Sequence, residues 1–119
     1  MTSPPGTFLL AAGFSGAAGV ALSALGSHAG GGNSTIAGTM LLLHAPAFLA
    51  LSMLTGRRLL PVAGLVLVLG LVVFAGDLVM RERMGAPLFP MAAPIGGGGL
   101  ILGWLLVAAS GIRDLLRPR

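Results

Sequence analysis

The stretch LLPVAGLVLVLGLVVFAGDLVM, Leu59–Met80, decides the fold. It runs 22 residues with a single charge, Asp77, near its end. A helix needs roughly 20 apolar residues to cross the hydrocarbon core of a bilayer. Its neighbours repeat the pattern. Ile36–Thr55 precedes it, 20 residues whose only ionisable group is His44. Thr7–Gly26 comes first, 20 residues without charge, and Leu88–Ile112 comes last, 25 residues without charge. Open sheet edges do not survive in lipid, and these runs are too long and unbroken for barrel strands. The expectation is an all-α integral membrane protein: one transmembrane domain over residues 1–119, a bundle of four transmembrane helices, with spans about 7–26, 36–55, 59–80 and 88–112.

Composition points the same way. The chain is 55% hydrophobic and 8% charged, with mean hydropathy +0.99. A soluble domain is about a quarter charged, so that class is excluded. With no Cys there is no disulfide, thiolate metal site or cysteine nucleophile. The net charge of +4 does not mark a nucleic-acid binder, which spreads its basic residues over one face. Here the arginines punctuate the apolar runs: Arg57–Arg58, Arg81 and Arg83, Arg113, Arg117 and Arg119. The expected partner is the lipid bilayer, and no nucleic acid. Met1–Gly6 holds neither Arg nor Lys, so the first run reads as a span rather than a cleaved signal.

The expected connections are Ser27–Thr35, a Gly-rich flexible loop, then Gly56–Arg58 and Arg81–Pro87. The second is short enough to force helices two and three into an antiparallel hairpin. Four spans place both termini and the Gly56–Arg58 connection on one side. That side holds Arg57, Arg58, Arg113, Arg117 and Arg119, and the other holds Arg81 and Arg83. The positive-inside rule then puts both termini in the cytoplasm.

Inside lipid, helices associate through close packing of small residues. Helix one carries Ser15, Gly19 and Ser23 in one row and Gly13, Ala17 and Ala21 in another, with Gly16 beside them. Helix four carries Gly99 and Gly103 at the same spacing. These residues are the expected packing faces. Two backbone irregularities are also expected. Pro46, within helix two, removes a hydrogen bond and predicts a kink. Helix four is Pro/Gly-rich at its outer end, with Pro87, Pro90 and Pro94 ahead of Gly96–Gly99. Gly96 and Gly97 there mark either a broken helix or a flat packing patch, and packing is the preferred reading.

Ionisable groups within a membrane are functional candidates. His44 lies about nine residues into helix two, close to mid-membrane. It reads as a proton relay, a cofactor ligand or a substrate contact, or as a histidine bonded across the bundle. Asp77 precedes Arg81 by four residues, a spacing that suits an ion pair. His28 follows helix one directly. His28, His44 and Asp77 all fall in the outer half of the bundle and form a candidate polar pocket. No triad, phosphate loop or metal motif is present, so no catalytic residue, metal site, cofactor or enzymatic activity is expected.

Four short motifs in order resemble a known family. They are Gly16-Ala-Ala-Gly19-Val-Ala-Leu-Ser-Ala-Leu-Gly26-Ser-His28-Ala, Leu43-His44-Ala45, Ala93-Pro94-Ile95-Gly96-Gly97, and Gly103-Trp104. In order and spacing they are similar to the small bacterial inner-membrane proteins of the domain of unknown function 423 family, relatives of eukaryotic transmembrane protein 256. The resemblance implies four spans and residence in the bacterial inner membrane, and it implies no chemistry. His28 and His44 match the family's pattern. Two positions depart from it: Pro46 stands where the family has Leu, and Asp77 ends the segment Phe74-Ala-Gly76-Asp77 where the family has a Ser. The functional expectation is an accessory or structural subunit packing against a larger membrane complex or a second copy. The alternatives are an ion, proton or solute conduit using the polar groups, and a quinone- or haem-binding subunit.

Overall fold

The computed structural model describes residues 5–29 and 31–118; Arg119, counted above, lies outside them. Four helices account for nearly all of the described chain: α1 (Pro5–Ala29), α2 (Gly32–Met53), α3 (Leu59–Met84) and α4 (Ala92–Leu116). Each is long and apolar enough to cross a membrane, and the described residues contain no strand. In hydrocarbon every backbone N–H and C=O needs a partner, and a helix supplies them all within one segment. The protein is therefore a multi-pass membrane protein.

The helices pack as two tight antiparallel pairs, α1 with α2 and α3 with α4, joined through α2 and α3. Small residues make both seams. A Cβ at Gly19 would meet the side chain of Leu42, and one at Gly38 would lie 3.0 Å from the Gly19 carbonyl oxygen. In the second seam a Cβ at Gly70 would lie 2.9 Å from the Gly96 carbonyl oxygen. Backbones this close gain dispersion contacts that lipid tails cannot replace. The pairs meet over an apolar core of Phe8, Phe48, Leu51, Leu60, Leu67, Leu71 and Leu100. Between α2 and α4 the side chains of His44 and Trp104 form a bridge.

Several helix ends depart from the expected boundaries; α1 starts at Pro5, α2 stops at Met53 and α4 runs on to Leu116. The expected loop Ser27–Thr35 is largely helix: α1 continues to Ala29, and α2 begins at Gly32. The Gly31 carbonyl accepts the Thr35 amide at 3.1 Å and the Thr35 hydroxyl at 3.0 Å, which closes the first turn in spite of the glycines. Helix α3 continues past Met80 to Met84, because Arg and Glu are good helix formers at the membrane edge. It stops at Gly85, whose left-handed backbone (φ 72°) lets its amide reach the Arg81 carbonyl. Helix α4 begins at Ala92 rather than Leu88, after Pro87 and Pro90. Pro94 sits in the first turn, where a missing N–H costs nothing. The helix then runs unbroken through Gly96–Gly99, and α2 runs unbroken through Pro46.

Candidate functional site

His44 is buried, with 5% of its surface exposed. Its Nδ1 lies 2.7 Å from the carbonyl oxygen of Met40, one turn back on α2. Its Nε2 lies 3.1 Å from the indole Nε1 of Trp104 on α4. An indole N–H can only donate, so Nε2 accepts and Nδ1 carries the proton that goes to Met40. Both ring nitrogens are therefore engaged in this arrangement. The two rings sit 5.7 Å apart, tilted by 50°. Around them a groove of about 390 Å³ opens between α2 and α4, lined by Met40, His44, Gly97, Leu100, Ile101, Trp104 and Leu105. Apart from the His44–Trp104 pair the lining is apolar.

The chain has three carboxylates, and each one holds a helix end. Asp77 is fully buried on α3. One oxygen accepts from Arg81 Nε at 2.7 Å, and the other accepts the Leu88 amide at 2.8 Å. It therefore ties the segment between α3 and α4 back onto α3. Glu82 lies at the far end of α3 and takes both the amide and the hydroxyl of Ser34. A carboxylate at the start of α2 satisfies orphan amides and complements the helix dipole, so Glu82 caps α2 from another helix. Asp114, at the end of α4, accepts from Arg57 Nε at 2.6 Å and ties α4 to the connection between α2 and α3. Among the described residues no buried side-chain nitrogen or oxygen lacks a hydrogen-bond partner.

The sequence-derived candidates fall into separate places. Among the described residues no hydrogen bond joins His28, His44 and Asp77 to one another. His28 is exposed on the last turn of α1. His44 bonds to Met40 and Trp104, and Asp77 bonds to Arg81 and Leu88. Neither His28 nor Asp77 lines the groove at His44. No cluster of three or more His, Asp or Glu side chains placed to hold a metal ion occurs among the described residues.

The packing candidates divide as well. Gly16 faces Ala45, Gly19 faces Leu42, and Ser23 faces Gly38, all across the α1–α2 seam. Gly99 faces Gly70 and Gly103 faces Leu67 across the α3–α4 seam. Gly96 sits against the Phe74 backbone and Gly97 near its ring, while a Cβ at Gly13 would meet nothing. Pro46 lines a groove of about 570 Å³ between α1 and α2. Sequence reasoning missed Trp104 as the partner of His44, and it missed Glu82 and Asp114 altogether. One signal was available for Glu82: it is the chain's only glutamate, placed between two arginines just after an apolar run.

These features define a class: a four-span membrane protein with a histidine–tryptophan bridge between α2 and α4 and carboxylate clamps near its helix ends. Within that class the chain belongs to the family described as Protein of unknown function (DUF423), which it matches over residues 16–97. The matched stretch holds His28, His44, Asp77 and Glu82, and it ends before Trp104 and Asp114. No curated protein and no solved structure matches the chain.

Proposed function

We propose that this protein is a non-catalytic accessory subunit of the bacterial inner membrane, with both termini cytoplasmic. It packs against a larger membrane complex or a second copy of itself. The observation that carries this reading is the saturation of its polar groups: His44, Asp77, Glu82 and Asp114 each hold one part of the fold against another. A conduit needs polar groups free to exchange protons or ions along a path. Here the buried ones are engaged in structural contacts.

A second reading has one observation in its favour. The groove beside His44 is apolar apart from His44 and Trp104 themselves, and His44 is among the residues that line it. A quinone or haem entering it would displace the Trp104 donor and use His44 directly.

Native mass spectrometry of the tagged protein, drawn from its own membranes in mild detergent, separates these readings when paired with a visible absorption spectrum. A stoichiometric complex or defined homo-oligomer without a chromophore is expected. A bare monomer would overturn the subunit reading. A bound quinone or haem would replace it with the second.

A further inference from the structure

The two ends of the bundle carry different charge. At the end where α2 stops and α3 starts stand Arg57, Arg58, Arg113 and Arg117 against the single carboxylate of Asp114, a net charge of +3. At the other end Arg81 and Arg83 stand against Asp77 and Glu82, a net charge of zero. All the excess positive charge of the described residues therefore lies on one face. The Arg57–Asp114 pair also gathers that charge. It holds the end of α4, with Arg113 and Arg117, against the loop that bears Arg58. Arg58, Arg113 and Arg117 are exposed and form no ion pair of their own among the described residues.

We infer that this arginine face is a docking surface for the headgroup of an anionic phospholipid. Guanidinium groups match phosphate oxygens in charge and geometry, with paired N–H donors. The face sits at the ends of membrane-spanning helices, where the phosphates of the surrounding leaflet lie. Its three free arginines exceed what Asp114 can neutralise, so a lipid of net negative charge fits better than a zwitterionic one.

The test uses the full chain in nanodiscs of mixed phosphatidylglycerol and phosphatidylcholine, released and weighed by native mass spectrometry. Phosphatidylglycerol is expected to remain bound in preference, less so as salt is raised. Each arginine near an anionic surface strengthens attachment by about fivefold. The triple variant Arg58→Gln, Arg113→Gln, Arg117→Gln should therefore lose at least about tenfold of the preference. Arg83→Gln, at the balanced end, should keep it. Three results would each overturn the inference: no preference in the native protein, a preference unchanged in the triple variant, or an equal loss in Arg83→Gln. The readout does not depend on whether a protein partner exists, so it stands or falls apart from the subunit reading.

Discussion

At the scale of single residues, His44 and Trp104 form one unit. Removing either leaves the other without its hydrogen-bond partner. His44→Ala strands the indole N–H, and Trp104→Phe strands Nε2. Each is expected to lower stability in detergent by about 1–3 kcal/mol, measured by thermal unfolding. The double variant should cost less than the sum of the two. Full additivity would mean that the rings do not interact. Trp104 is the chain's only tryptophan, so its emission reports on this bond alone and should shift in His44→Ala. Asp77 offers a second contrast. Asp77→Asn keeps an acceptor for the Leu88 amide and loses the charge facing Arg81, whereas Asp77→Ala loses both. The alanine variant should melt at the lower temperature, and the reverse order would show that the Leu88 bond does not matter. Sequence spacing reaches only the local part of these contacts. Asp77 and Arg81 are one helical turn apart. The His44–Trp104 bridge spans 60 positions and depends on how α2 and α4 are rotated about their axes. In a soluble helix the apolar stripe reveals that rotation. In lipid both faces are apolar, and the signal is lost.

At the scale of elements, the Gly96–Gly99 run distinguishes packing from freedom within one turn of α4. A Cβ at Gly96 would lie 2.5 Å from the Phe74 amide nitrogen, against backbone that cannot swing away. Gly96→Ala should push α3 and α4 apart and cost about 1–3 kcal/mol. At Gly98 a Cβ meets nothing within 4 Å. Gly98→Ala should be neutral or stabilise the helix by up to about 1 kcal/mol, the difference in helix propensity. Thermal unfolding of the two variants side by side checks this. Equal effects would mean that the seam is not tightly closed at Gly96. The existence and number of the helices were legible because four long apolar runs allow no other backbone in lipid. Their ends were not. At α2 the first turn is completed from outside by Glu82, 48 positions from Ser34, and no local rule anticipates a cap on another helix. Gly30, Gly31 and Gly32 read as a loop by composition, yet only Gly31, with a β-like backbone, is described as lying between the helices.

At the scale of the whole molecule, charge decides how the bundle lies in its membrane. Four spans put the α2–α3 connection on the same side as the start of α1 and the end of α4. That end carries the net +3 of the described residues, while the other end is balanced. Basic residues close to span ends are retained on the cytoplasmic side, and carboxylates count for little in that choice. By arginines alone the described residues still favour this end, four against two. A fluorescent protein fused to the C-terminus should therefore light up, and an alkaline phosphatase fused there should stay inactive. Changing Arg57, Arg58, Arg113 and Arg117 together to Gln leaves Arg81 and Arg83 as the only arginines among the described residues, so the bias should reverse. The population should become mixed or inverted, with phosphatase activity appearing. The Arg57–Asp114 pair is lost in that variant. It is half-exposed, and such pairs contribute little to stability, so the helices should still insert. Phosphatase activity from the native chain would place both termini outside the cytoplasm. The arginine face would then meet the outer leaflet, and the orientation proposed for the subunit would be wrong, whatever its lipid preference.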